Sequence, residues 1–146
     1  MRLLIQRVKA ASVKVEDDIV GAIDSGLVVF LGIHRDDTAE KIDYLIRKLL
    51  ALRIFADEDK PMNRTIVESN GSILIVSQFT LYADCHKGNR PSFSYAMAPL
   101  EAEKMYQRFI ERLEELAPVK IQRGIFGAYM NVTLINDGPV TIILDS

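Results

Sequence analysis

Two short stretches carry residues whose type and spacing could do chemistry. The first is VSQFTL, Val76 to Leu81, where Ser77, Gln78 and Thr80 follow an apolar run. A strand alternates its faces, so Ser77 and Phe79 would share one side while Gln78 and Thr80 share the other. Polar groups on both faces at the end of a buried strand need partners, and a bound ligand is one class of partner. A strand running out into solvent is the competing reading. Thr80 has a nucleophile's hydroxyl, yet nothing beside it in sequence supplies the base that would activate it. The second stretch is INDGPVTI, Ile135 to Ile142. Asn136-Asp137-Gly138 suits a tight hairpin turn between two strands. Pro139 is odd there, because it removes an N–H where the return strand should begin to pair. The alternative makes rigid backbone the functional group. A Gly–Pro bond can be cis at modest cost, which brings its two carbonyl oxygens nearly parallel. Such a tip could accept an ammonium group and block a bulky substituent on one side.

The familiar catalytic constellations are absent. There is no Gly-x-x-x-x-Gly-Lys phosphate loop, His-Glu-x-x-His, paired Cys-x-x-Cys or Gly-x-Ser-x-Gly elbow. The chain has 2 histidines and 1 cysteine. His34 follows an apolar run and His86 lies in a polar loop; a metal site would need both to converge with carboxylates, so no metal is expected. Cys85 and His86 are adjacent, and sequence neighbours rarely face each other. They read as a surface thiol beside a solvated histidine.

The elements that must hold these stretches follow no regular alternation. Residues 2–9, RLLIQRVK, read as a strand, and SVKVE with IVGAI as a hairpin around Asp17-Asp18. GLVVFLGI (26–33) has the continuous apolar character of a strand buried on both faces. Asp37-x-x-Glu40 has the form of a capping box. It would open a helix whose stripe is Ile42, Leu45, Ile46, Leu49 and Leu50. RIFAD reads as a short strand, 57–72 as a loop with an extended piece at 64–68, and SILIVSQFTLY (72–82) as one strand. After an irregular crossing over 83–98, Pro99 fits the first turn of a second helix. Its stripe is Ala102, Met105, Tyr106, Phe109, Ile110, Leu113 and Leu116, and Pro118 stops it. VKIQRG, YMNVTLIN and VTIILD finish the chain as three strands. This order predicts an α+β domain over residues 1–146: a curved, barrel-like, mostly antiparallel sheet with two helices packed on one side.

At 146 residues, 49% of them hydrophobic, the chain can bury one sizeable core. Its formal charge of −2 offers no broad basic field, which argues against tight sequence-independent nucleic-acid binding. A transient RNA substrate on a local basic edge stays open. The single cysteine suits a reducing compartment. MRLLIQRVKAA has charges too close together for a signal segment, and no run reaches membrane-spanning length. The expectation is a cytoplasmic protein with no membrane association.

In combination, SQFTL at 77–81 and NDGPVT at 136–141 resemble the signature pair of the D-aminoacyl-tRNA deacylases, the D-tyrosyl-tRNA deacylase family. The likeness extends through LIQRVKAASVKVE, RIFAD, KGNRPSF at 87–93 and FGAYM at 126–130. It implies a homodimeric hydrolase that uses no cofactor and cleaves the ester joining a D-amino acid to the 3′-terminal adenosine of tRNA. Glycine mischarged onto tRNA is a further implied substrate. Gly138 and Pro139 would form a cis dipeptide that enters the partner subunit's active site, holds the substrate amino group and excludes an L side chain. Ser77, Gln78, Phe79 and Thr80 would line the ester side. The amides of Phe79 and Thr80 would face the developing oxyanion, each donor being commonly worth roughly 3–4 kcal/mol of barrier. Ala102, Phe126 and Met130 match positions lining the adenosine or aminoacyl pocket, although ordinary core packing explains them equally. The ribose 2′-hydroxyl beside the ester offers substrate assistance at high effective concentration. A covalent Thr80 is the alternative within the family; a non-catalytic RNA-binding module, or a simple esterase using Ser77 or Thr80, are alternatives outside it. Lys87 and Arg90 could meet phosphates near the acceptor end, or be ordinary solvated loop charges. Cys85 and His86 inherit no role.

Overall fold

The structure, a computed structural model, describes residues Met1–Ser146. One long strand, β1 (Arg2–Val15), organises the sheet. Along one edge it bonds to β6 (Met130–Asp145). Its other edge bonds first to β3 (Gly26–Gly32), then to β2 (Asp18–Ile23). These three pairings are antiparallel. β4 (Ser72–Ser77) lies parallel to β3, and the short β5 (Ile121–Arg123) lies parallel to β4, completing a 6-stranded mixed sheet.

Two of the expected strand boundaries are bulges instead. Residues 2–9 and 12–16 are not separate strands. Val8 pairs with Asn136 and Ala10 with Ile135, which leaves Lys9 without an opposite residue. The extra residue reverses the alternation: Leu3 and Ile5 join one core cluster, Ala11 and Val13 the other. A bulge does this while the strand continues. INDGPVTI is likewise no hairpin turn, because both halves of β6 pair with β1. Gln6 faces Thr141 and Val8 faces Asn136, so Asp137–Val140 bow out opposite Arg7 alone.

Other local expectations also yield to long-range partners. The strand 72–82 stops at Ser77, and Phe79–Tyr82 coil into a 3₁₀ turn. RIFAD and 64–68 form no strand; they meet only in an isolated bridge, Phe55 with Arg64, and the chain then turns, closed by Gly71 N donating to Ile66 O at 3.1 Å.

The two helices, α1 (Glu40–Ala51) and α2 (Pro99–Leu116), bury the predicted stripes against one face of the sheet. Leu50 and Met105 are half-buried at the edges of the stripes, and Leu116 is exposed, since it lies beyond the last core contact at Leu113. Leu45, Leu49, Phe109 and Leu113 pack with Leu3, Ile5, Leu27, Val29 and Ile75. On the other face Val8, Val13, Ile23, Val28, Leu74 and Val76 fill the inside of the curled sheet. β3 is therefore buried on both faces, as its unbroken apolar run requires. The domain is α+β, with a nearly closed barrel-like sheet. No helix is long and apolar enough to cross a membrane.

The capping box does not form. The N-cap of α1 is Ala39, with no side-chain cap. Asp37 instead holds the Met1 amine at 2.5 Å and Lys41 Nζ at 2.9 Å, and accepts the His34 amide at 2.6 Å. Burial acts to raise the pKa of this carboxyl, but the hydrogen bonds it accepts outweigh burial and hold it below its ordinary value. A depressed folded pKa stabilises the fold above the ordinary carboxylate range, and that contribution is lost as pH falls through the folded value. Urea midpoints measured from neutral pH down past the ordinary carboxylate pKa of about 4 should therefore drop. Asp37→Asn should lower the neutral-pH midpoint and flatten the acid limb.

Candidate active site

β3 and β4 end side by side, with Leu31 opposite Ser77. Past Ser77 the chain is turned by one bond, Gln78 N donating to Leu31 O at 2.9 Å, and enters the 3₁₀ turn. Gly32 makes room for that turn: a Cβ there would lie 3.0 Å from Leu81 Cβ and 3.2 Å from Gln78 O. Bonding within the turn starts at Leu81 N, which donates to Gln78 O at 3.3 Å. The amides of Phe79 and Thr80 open the turn and find no acceptor inside it. Two successive free amides at a helical start suit an anionic oxygen.

A cavity of about 250 Å³ opens at this point. Leu31 and Ile33 wall it from the end of β3, and Ser77, Gln78 and Phe79 from the end of β4. Met97, Pro99 and Ala102 close it at the start of α2, and Phe126 with Gly127 from the loop before β6. The structure thus brings together Ser77, Gln78, Phe79, Ala102 and Phe126. Thr80 adjoins them, its Oγ1 accepting from Gln78 Nε2 at 2.5 Å. Met130 does not reach the cavity; it packs with Val132 and Leu134 against the interior of the curled sheet. Gly138 and Pro139 line no part of this chain's own cavity.

The wall carries no titratable side chain. Behind it, Tyr106 packs on Phe126 with ring centroids 5.6 Å apart and donates to Ile75 O at 3.4 Å. Burial pushes its pKa up to about 12, so it stays neutral. The partner of Thr80 is an amide donor, not a base. His34 sits between Tyr82 and Tyr95, at 5.0 and 6.0 Å, and His86 pairs with Asp84 at 2.6 Å on an exposed loop. Cys85 is exposed. What the arrangement offers chemically is an apolar cavity without a base, beside amide donors left free at the start of the 3₁₀ turn.

The bulge in β6 is built as a rigid tip. The Gly138–Pro139 peptide is cis, and Gly138 has φ +123°. A Cβ on Gly138 would lie 2.9 Å from both Arg7 Nη2 and Val140 Cγ2. Arg7 braces the tip: its Nε is 3.1 Å from Asp137 Oδ2, and Nη1 donates to Ile54 O and, at 3.4 Å, to Pro61 O. Sequence reasoning missed Arg7. The available signal was its phase, since Arg7 follows Leu3 and Ile5 at a position where the strand faces the core.

The family model described as D-Tyr-tRNA(Tyr) deacylase matches residues 4–145. Among solved structures, a c-Myc DNA Unwinding Element Binding Protein is 42% identical, with TM-score 0.94, covering 100% of this chain and 99% of that one. A probable eukaryotic D-amino acid tRNA deacylase shares the fold at TM-score 0.81 and 22% identity, over 99% of this chain and 98% of that one. With both motifs inside the matched span, the chain belongs to the D-tyrosyl-tRNA deacylase family.

Proposed function

We propose that this D-aminoacyl-tRNA deacylase selects its substrate by rejection, with the Gly138–Pro139 tip of one subunit entering the cavity of a second. The observation that carries this reading is the division of labour between two parts: an uncharged cavity walled by Ser77, Gln78 and Phe79 at the start of the 3₁₀ turn, and a braced backbone tip that lies outside it. Carbonyl oxygens at the tip would accept the substrate's ammonium group, and the tip's bulk would meet the side chain of an L-amino acid. Glycine has no side chain to reject, so glycyl-tRNA would also be hydrolysed. The homodimer is supported by β6, whose outer edge is free and carries exposed Ile135 and Ile143, a combination that soluble monomers avoid. Work on aminoacyl-tRNA would set the protein in the cytoplasm.

In the reaction, water adds to the acyl carbon and the ester bond to the ribose oxygen breaks. The Phe79 and Thr80 amides would stabilise the oxyanion, and the neighbouring 2′-hydroxyl of the substrate would orient the water and relay its proton. The lack of a base in the wall favours this route over a covalent Thr80, whose oxygen already accepts from Gln78. The 42% identical relative is named for binding a DNA element. The net charge of −2 here gives no comparable support for duplex binding or for a purely binding module. Release of D- and L-tyrosine from charged tRNA tests the proposal. Rapid release of the D form and near-background release of the L form is expected; equal rates, or none for the D form, overturn it.

A further inference from the structure

We infer that the loop beside the cavity mouth grips the phosphates of the single-stranded nucleotides preceding the terminal adenosine, through Lys87 and Arg90. This rests on the deacylase reading and names the substrate contact that reading leaves unassigned. The loop is pinned at its base, where Asp84 and Ser92 exchange backbone hydrogen bonds of 2.7 and 2.9 Å. The Asp84 carboxylate is occupied by the His86 amide at 3.0 Å and the His86 ring at 2.6 Å. No other acidic residue occurs from Cys85 to Ala98, and neither Lys87 nor Arg90 has an ion-pair partner. Lys87 and Arg90 are both exposed, as is Gly88 between them at the tip.

The loop is also tied to the cavity. Phe93, just past its base, packs edge-on against Phe79 with centroids 4.9 Å apart, and Phe79 is part of the cavity wall. Both rings stay partly open, at 39% and 56%. Arg35 joins the same rim, donating to Ser94 O at 3.3 Å with its guanidinium 5.2 Å from the Tyr95 ring. Aromatic faces followed by unpaired cations are how proteins track a single strand without reading its sequence. A tRNA acceptor end that must be accepted whatever its identity calls for such contacts to phosphate. In a chain of net charge −2, this local cluster draws the polyanion to one place.

The test compares two substrates in the intact protein, D-tyrosyl-tRNA and the 3′-D-tyrosyl ester of adenosine, which has no phosphate. The Lys87→Ala/Arg90→Ala double variant should raise KM for the tRNA about tenfold with kcat kept, the size expected from losing charge-assisted contacts. Its salt dependence should weaken by about 0.7 in log–log slope per cation removed. The loss should be confined to the substrate that carries phosphates. An unchanged KM for the tRNA overturns the inference. So does an equal loss on both substrates, which would mean the loop shapes the cavity, or a changed sedimentation coefficient, which would mean it holds a second copy. Failure of the wild-type protein to cleave either ester would instead defeat the deacylase reading, and this inference with it.

Discussion

Gly138→Ala is expected to abolish discrimination between D- and L-tyrosyl-tRNA while leaving the protein folded. Gly138 has φ +123°, where an L side chain costs of order 1–3 kcal/mol. The added Cβ would also lie 2.9 Å from Arg7 Nη2 and from Val140 Cγ2. A free guanidinium would swing away, but this one is held by Asp137, Ile54 and Pro61. The backbone of the tip must therefore move. Misplacing a positioning group by about 1 Å commonly costs about 10²-fold in rate, and a loss of that order in kcat/KM for D-tyrosyl-tRNA is expected. On the proposed reading the D-to-L ratio should fall towards one, because the surface that would reject the L side chain moves with the tip. Both halves of β6 keep their pairing to β1, so the thermal melt should shift by only the strain of the one residue. A folded variant that retains the full D-to-L ratio would remove the tip from the selection mechanism.

The helices and the doubly buried strand were legible because their signals are local. The stripes on α1 and α2 and the run in β3 need only their own periodicity and one core. The bulges were not legible, because Asn136-Asp137-Gly138 suits a hairpin and a bulge alike. What separates the two is whether the flanking strands pair with each other or share a third strand, and β1 lies more than a hundred residues away in sequence. Lys9 poses the same problem: a break in alternation marks either a strand end or a strand that has reversed its faces. Asp37 shows the tertiary override in miniature. Its spacing to Glu40 fits a cap, yet a buried cation competes successfully for the carboxylate. Phe79-Thr80-Leu81-Tyr82 has strand-favouring composition, but the Gln78 bond to Leu31 turns the chain before a strand can continue.

Within the site, the polar cluster at the end of β4 was visible as a conflict between polar residues and an apolar strand, the kind of local inconsistency that functional positions produce. Ala102 and Phe126 could not be told from core residues by pattern, and they are both: Ala102 belongs to the buried stripe of α2 and to the cavity wall. Met130 is in phase with Val132 and Leu134, and that phase sends it to the sheet interior. For this residue the pocket reading and the core-packing reading stood level, and within one chain it packs in the sheet interior. Arg7 was hidden because its duty is to Asp137, and that contact exists only once the four residues of the bulge lie opposite it.

Removing the 2′-hydroxyl of the terminal adenosine should slow hydrolysis of the D-aminoacyl ester about 10³-fold, within the range typical of losing a positioned acid–base group. The expectation follows from what lines the cavity and lies behind it. No residue of the cavity wall titrates, Tyr106 is buried with its pKa pushed up to about 12, and neither histidine lines the cavity. The proton on the attacking water must leave by some route, and on the proposed reading the 2′-hydroxyl of the substrate would carry it. Thr80→Ala should cost about tenfold at most, the upper value of one neutral hydrogen bond, here the one from Gln78. The two measurements pull in opposite directions for a covalent threonine. That mechanism would make Thr80→Ala inactive, leave the 2′-deoxy ester a working substrate, and accumulate an acyl-enzyme detectable by rapid quench and mass spectrometry. Substrate assistance predicts a surviving Thr80→Ala protein, a crippled 2′-deoxy ester and no covalent adduct. A 2′-deoxy ester hydrolysed at the normal rate would return the chemistry to a side chain of the protein.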